Sequence, residues 1–131
     1  MLKGFFELHV YQSSYKAMLT IFDKILPAIP NNEKYDLYDQ ISRSVKAIPR
    51  LIAEGHSKRH QKRGFQKYID DAHAESNETI VSLSQFKDLY ASGDQLYLCE
   101  ELIDCYDKIS RQLYNLSKAW NAFHLKNNPL R

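Results

Sequence analysis

The sequence predicts an all-α protein, specifically an antiparallel up-down-up-down four-helix bundle in which helix two is kinked at Pro49. Three observations lead to this fold class. Apolar residues recur at steps of three and four over four long segments, the segments are joined by short connections, and Gly and Pro number only four each in 131 residues. Scarce turn residues disfavour a fold of many strands, and long helices with short connections pack as antiparallel neighbours. One domain over residues 1–131 is expected for this length.

The first predicted helix covers about residues 6–28. Its apolar residues keep helical spacing, which is typical of a helix that packs one face into a bundle. The members of this stripe are Leu8, Tyr11, Tyr15, Met18, Phe22, Ile25 and Ile29. Pro27 and Pro30 end the helix because proline lacks a backbone donor and disfavours helix in the residue before it. Asn31 or Asn32 is then expected to cap the second helix.

The second predicted helix covers about residues 33–54. Its apolar stripe consists of Leu37, Ile41, Val45, Ile48 and Ile52. Pro49 lies inside this pattern, and it removes the hydrogen bond to the carbonyl of Val45, so a kink is expected there. Gly55 is expected to close the helix in the left-handed conformation.

The third and fourth predicted helices cover about residues 62–91 and 95–123. The third carries Phe65, Ile69, Ala72, Ser76, Thr79, Leu83, Phe86 and Tyr90 at helical spacing. The fourth carries Cys99, Leu102, Tyr106, Ile109, Leu113, Leu116, Trp120 and Phe123. Small residues in the middle of the third stripe allow a neighbouring helix to approach closely or leave room for a bulky side chain from it. Ser92 and Gly93 separate the two helices, and Asp94 is placed to cap the fourth.

The basic residues are concentrated in one part of the chain. Between Arg43 and Lys67 there are eight Lys and Arg residues and a single acid, Glu54, although the whole chain has a net charge of only +2. Several cations on one surface bind phosphates and release counterions. The residues predicted to bind nucleic acid are Arg43, Lys46, Arg50, Lys58, Arg59, Lys62, Arg63 and Lys67.

Aromatic and imidazole side chains lie near these bases: His56, His60, Tyr68 and His73. Bases combined with such rings can bind single-stranded nucleic acid by charge and stacking, and the pattern does not distinguish RNA from DNA. Two other interpretations stay open. The basic face can be simply solvated, or it can pair with acids of a neighbouring subunit, for which the fourth helix offers Glu100, Glu101 and Asp104.

Metal chemistry has weak support in the sequence. His56 and His60 are four residues apart, and Asp70 and His73 are three apart, which is similar to half of a di-metal bundle site. Such a site needs a second motif and further inward carboxylates, and the fourth helix has no histidine before His124. No metal and no cofactor are therefore expected.

The sequence also favours a protein that is not an enzyme. It contains no glycine-rich phosphate loop, nucleophile elbow or zinc-protease motif. Cys99 falls on a core stripe, and Cys105 is six residues further on, where a helix prevents the two from bridging. Free thiols favour a reducing, cytoplasmic location, and no membrane-spanning segment is expected.

Five tyrosines fall away from the core stripes: Tyr35, Tyr38, Tyr68, Tyr97 and Tyr114. Exposed aromatic residues are common at subunit interfaces. The sequence therefore predicts a homo-oligomer, without indicating the number of subunits.

Several short motifs resemble those of one family. They are Val10-Tyr11-Gln12 with Tyr15, Gln40-Ile41, Ile48-Pro49, Ile52-Ala53-Glu54-Gly55, and Phe65 with Tyr68. Over about residues 6–116 the chain resembles the four helix bundle protein family, also called the 23S rRNA intervening sequence protein family. The family often has a Gly-Ser pair in helix three, where this chain has Glu75-Ser76.

The resemblance implies an up-down bundle that assembles into a ring-shaped homopentamer. The family is distantly similar to the accessory variability determinant of diversity-generating retroelements, a basic pentameric bundle that binds a reverse transcriptase and nucleic acid. The function predicted here is a non-enzymatic oligomeric bundle that binds RNA or DNA, or scaffolds a nucleoprotein, through its basic surface. A reverse transcriptase is an expected partner only in a retroelement setting. The alternative is a structural or protein-partner-binding homo-oligomer without a nucleic-acid role.

Overall fold

Four α-helices make up most of the protein. The computed structural model describes residues 4–127, except for the side chains of Phe6, Lys62 and residues 123–127. The helices are α1 (His9–Thr20), α2 (Leu37–Ser57), α3 (Lys62–Leu89) and α4 (Asp94–Asn127). No strand occurs in the described range, and the helices pack around one hydrophobic core. The predicted all-α four-helix bundle is therefore confirmed.

Helices α3 and α4 pair antiparallel through buried hydroxyl groups. Ser76 in α3 donates to the carbonyl oxygen of Tyr106 in α4 over 3.1 Å. Nearer the start of α3, Asp70 accepts a 2.8 Å hydrogen bond from Ser117, which lies later in α4. The contacts thus advance in opposite directions along the two helices. The up-down-up-down order of all four helices stays a prediction.

The first helical segment differs from its prediction. A 3-10 turn at Gly4–Glu7 precedes α1, and a π-helical turn at Ile21–Ile25 and a 3-10 turn at Leu26–Ala28 follow it. The predicted core stripe is wrong for Tyr15 and Phe22, which are 43% and 38% exposed. The buried residues are Val10, Ser14, Ala17, Ile21, Ile25, Leu26 and Ile29. Small Ser14 and Ala17 thus lie on the buried face of α1, and the larger Tyr15 lies on the exposed side.

Helix α2 buries all five residues of its predicted stripe. It begins after Asp36, whose side chain makes no capping hydrogen bond, so the expected cap at Asn31 or Asn32 is wrong. Those asparagines begin a separate 3-10 turn instead. The helix continues through Pro49, and the kink expected at that residue stays a prediction.

The prediction that Gly55 ends α2 is wrong. The helix continues to Ser57, and Gly55 does not have a positive φ angle. A Cβ atom added at Gly55 would lie 3.2 Å from the Cβ of Tyr68 and 3.3 Å from the Cδ1 of Ile69. At Gly55 α3 therefore approaches α2 closely, and the absence of a side chain permits that contact.

Helices α3 and α4 bury their predicted stripes nearly throughout. In α3 the stripe is buried from Phe65 to Phe86, and in α4 it is buried from Cys99 to Leu113. Tyr90, Leu116 and Trp120 pack against this core while partly exposed, and the side chain of Phe123 lies outside the described residues. Gly93 has φ +57°, so it provides the left-handed turn between the two helices.

Candidate nucleic-acid interface

The predicted binding residues separate into two groups on the folded chain. Three lie along α2, where they line a groove between α2 and α3: Arg43, Lys46 and Arg50. Four lie around the α2–α3 connection at one end of the bundle, and we call them the basic tip: Lys58, Arg59, Arg63 and Lys67. The side chain of Lys62, the eighth predicted residue, lies outside the described residues.

The groove has a volume of about 950 Å³ and carries charges of both signs. Arg43, Lys46 and Arg50 line its α2 side, whereas Glu75 and Glu78 line its α3 side. Partial burial raises the pKa of Glu75, and the neighbouring charge of Glu78 and a hydrogen bond with it act in the same direction. The groove is thus less basic than the run of bases in α2 indicates. Counting charges in the sequence window missed both acids because they lie beyond Lys67.

The three basic residues of α2 also have local partners, and that of Arg50 is the carbonyl oxygen of Lys46, to which its Nε donates over 3.4 Å. The Nε of Arg43 lies 3.2 Å from the Asp39 carboxylate, in an exposed ion pair one helical turn apart. The ammonium of Lys46 lies 6.0 Å from the ring centroid of Phe22 in the π-helical turn. Exposed ion pairs of this kind contribute little to stability, so these side chains can be redirected toward a ligand at small cost.

The basic tip is organised around Tyr68. The ammonium of Lys58 donates to the Tyr68 hydroxyl over 3.1 Å and lies 4.9 Å from the ring centroid. The ammonium of Lys67 lies 5.0 Å from the same centroid and 3.9 Å from the Asp71 carboxylate. A positive charge is attracted to the electron-rich face of an aromatic ring. One tyrosine therefore holds two cations that are nine residues apart in the chain.

Arg59 and Arg63 differ in how strongly they are held. Arg59 donates through Nη1 to the carbonyl oxygen of His56 over 2.9 Å, and the same atom lies 3.3 Å from His56 Nδ1. Arg59 therefore helps to close the C-terminal end of α2. Arg63 is exposed, and in the described part of the chain it forms no salt bridge. Arg63 is the tip cation that is most available to an anionic ligand.

The imidazole of His56 lies next to Arg59 of the basic tip. Burial lowers the pKa of His56, and the positive charge of Arg59 lowers it further. The N-terminal turn packs against this ring, since a Cβ added at Gly4 would lie 3.4 Å from His56 Cε1. His73, by contrast, packs 6.1 Å from the ring of Tyr114 between α3 and α4. Of the predicted ring-bearing residues, the structure thus brings His56, His60 and Tyr68 to the tip region.

Other kinds of site have little geometry to support them. Among the residues that the structure describes, no three His, Cys, Asp or Glu side chains are grouped so that they could hold a metal ion. Cys99 is buried and Cys105 partly buried, both as free thiols, and burial raises the pKa of each. A raised pKa makes a thiol less reactive at neutral pH. Across the described range, no helix combines the length and apolar character needed to cross a membrane.

Comparison with known proteins identifies one relationship. A family model described as 23S rRNA-intervening sequence protein matches residues 6–115. The matched range includes α1, α2 and α3 and most of α4, and it contains both the groove and the basic tip. No curated protein matches the chain.

Proposed function

Because the chain belongs to the 23S rRNA-intervening sequence protein family, we propose that it is a non-enzymatic, oligomeric bundle that binds nucleic acid, or scaffolds a nucleoprotein, through its basic tip. One observation carries this proposal. Lys58, Arg59, Arg63 and Lys67 lie around one connection, and among them only Lys67 has an acidic partner in the described chain, at 3.9 Å. Such a surface attracts phosphates, and the counterions released on binding favour the complex.

The bases of the groove are a secondary contact in this proposal. Arg43, Lys46 and Arg50 are exposed, but they face Glu75 and Glu78 across the groove. A phosphate backbone that enters the groove would meet repulsion from these carboxylates, so the tip is expected to dominate affinity.

Oligomerisation would strengthen a contact of modest affinity. Several tips on one assembly bind a long polyanion with an effective concentration that raises overall affinity by orders of magnitude. The homopentamer implied by the family resemblance is part of the proposal, as is a cytoplasmic location, which suits the two free cysteines. A reverse transcriptase enters as a partner only if the gene belongs to a retroelement.

The proposal is tested by measuring the binding of RNA and DNA at low and at physiological salt. We expect affinity to fall steeply with salt, by about 0.7 to 0.9 log units per log unit of salt for each phosphate that is neutralised. Arg63→Glu should weaken binding and reduce this slope. Lys108→Glu, an equal charge reversal at an exposed position of α4, should lower affinity less. Affinity that does not respond to salt, or equal losses for the two variants, would reject the tip as the binding surface.

An exposed apolar face on the first helical segment favours the alternative, a structural or partner-binding oligomer. Tyr15, Leu19 and Phe22 are 43%, 55% and 38% exposed and follow one another at helical spacing. An unpaired apolar face of this kind is typical of interfaces. Leu19→Asp should reduce the molar mass measured by light scattering, while Gln112→Asp, exposed on α4, should leave it unchanged. If nucleic acid does not bind and the mass still falls, the alternative is favoured.

A further inference from the structure

The two lysines beside Tyr68 differ in how they reach its ring. Lys67 precedes Tyr68 in α3, so its position follows from the helix. Lys58 lies just after α2, ten residues before Tyr68, and its ammonium reaches the hydroxyl only because the two helices approach closely. Gly55 permits that approach, with the Cβ of Tyr68 at 3.2 Å from where a Gly55 side chain would begin. Tyr68 therefore takes part both in the close contact between α2 and α3 and in the basic tip.

A lysine that is held before the ligand arrives binds with a smaller entropic loss. A free lysine side chain has many rotamers, and fixing them on binding costs free energy. The hydroxyl and ring of Tyr68 restrict Lys58 and Lys67 at 4.9 Å and 5.0 Å from the ring centroid. Lys58 is also partly buried, which limits its movement further. The tip thus presents two partly ordered ammonium groups.

The same contacts argue against Tyr68 as a surface on which bases stack. A stacking platform needs an open ring face. Here two ammonium groups lie near the ring, and its Cβ packs against Gly55. Tyr68 is only partly exposed as a result. The sequence pattern led to a different expectation, namely that aromatic rings among the basic residues stack on nucleotides.

We infer that Tyr68 is a positioning residue that holds Lys58 and Lys67 for contact with a phosphodiester backbone. The basic tip then distinguishes neither the nucleobases of the ligand nor their order. The inference rests on the proposed nucleic-acid binding and names the part of the ligand that the tip contacts. Phosphate contacts position a protein on nucleic acid and carry no direct sequence information. Tyr68 acts through the lysines and does not itself contact the ligand.

A double-mutant cycle tests this inference with the full chain. The proteins are the wild type, Tyr68→Phe, Lys58→Met and the double variant. Their affinities are measured for oligo(U), oligo(A) of equal length and a mixed-sequence RNA duplex. Tyr68→Phe keeps the ring and its packing against Gly55 and removes only the hydroxyl that Lys58 binds. Tyr114→Phe, at an exposed tyrosine of α4, is the matched control, and thermal unfolding of every variant monitors the fold.

We expect Tyr68→Phe to weaken binding of all three ligands by the same factor, roughly threefold to tenfold, as expected when one side chain loses its preorganisation. In the Lys58→Met background the same change should have no further effect, because the Tyr68 hydroxyl acts through Lys58 alone. Tyr114→Phe should bind like the wild type. Equal losses in both backgrounds, or a loss confined to one homopolymer, would overturn the inference.

The inference and the proposed function fail in different ways. If the wild type binds nucleic acid and Tyr68→Phe binds equally well, Tyr68 has no positioning role, and the proposed function stands. If the wild type binds none of the three RNA ligands, the inference is overturned. If it also binds no DNA in the salt series, the proposed function is overturned with it.

Discussion

Replacing Gly55 with alanine sets two effects of opposite sign against each other. Gly55 lies inside α2, where alanine is favoured over glycine by about 1 kcal/mol through helix propensity alone. The new Cβ, however, would lie 3.2 Å from the Cβ of Tyr68, 3.3 Å from the Cδ1 of Ile69 and 3.5 Å from its Cγ1. The first two of these distances are shorter than ordinary van der Waals contact. The Cβ of Tyr68 and the Cδ1 of Ile69 would therefore have to move by a few tenths of an ångström.

The neighbouring atoms can move only at a cost. The Cβ of Tyr68 is attached directly to the backbone of α3, and Ile69 is fully buried. Relief therefore requires a shift of α3 away from α2, and overpacking of this kind typically costs about 1–3 kcal/mol. The steric cost exceeds the gain in propensity, so Gly55→Ala should lower the free energy of unfolding by about 1 kcal/mol. A change of that size lowers the melting temperature by about 3–5 °C.

The assay is thermal and urea unfolding at one fixed protein concentration. Exposed Glu54 supplies the control, because the difference between Glu54→Gly and Glu54→Ala measures helix propensity at the adjacent position without the steric contact. Ile69→Val removes the Cδ1 atom, so combining it with Gly55→Ala should cost less than the sum of the single changes. If Gly55→Ala instead stabilises the protein by the amount measured at Glu54, the close approach of α3 is refuted.

Three further predictions concern other parts of the bundle. Gly93→Ala should destabilise by about 1 kcal/mol in chemical unfolding, because Gly93 has φ +57° and open space around it, so backbone strain alone decides the result. The free energy of unfolding should fall as the pH drops below the usual histidine pKa. The reason is that the pKa of His56 is lowered in the folded chain, so the unfolded chain binds a proton that the folded chain does not. Melting curves of His56→Gln should lack this part of the pH dependence. Ser76→Ala should lower the free energy of unfolding in urea by about 1–3 kcal/mol. It removes the hydrogen bond to the Tyr106 carbonyl oxygen and leaves buried Ser110 without its acceptor at Ser76. An unchanged urea midpoint would contradict the role of this polar contact.

Periodicity predicted the buried faces of α2, α3 and α4 because each has one dominant apolar stripe at helical spacing. In the first helical segment, where two stripes compete, it was right for Ile25 and Ile29 but wrong for Tyr15 and Phe22. Tyr11, Tyr15 and Met18 have larger side chains than Val10, Ser14 and Ala17, but the smaller set is the buried one. Larger apolar side chains can remain exposed when small residues allow closer helix packing, and local spacing does not reveal which set the neighbours accept.

The bases of the candidate site were found from sequence, but their environment was not. The sequence window from Arg43 to Lys67 contains every tip residue. The acids Glu75 and Glu78 lie outside it and reach the groove because α3 turns back along α2. The contact of Lys58 with Tyr68 joins residues on either side of a connection, at a distance that no helical spacing predicts.

The sequence by itself determined the fold class, three of the four buried faces and the segment that carries the positive charge, because hydrophobic spacing and charge are local properties of the chain. Only the tertiary structure decided which face of α1 is buried, that Gly55 is a helix contact and not a helix end, and that Tyr68 holds two lysines. Each of these depends on distances between helices, and side-chain packing across the core sets those distances.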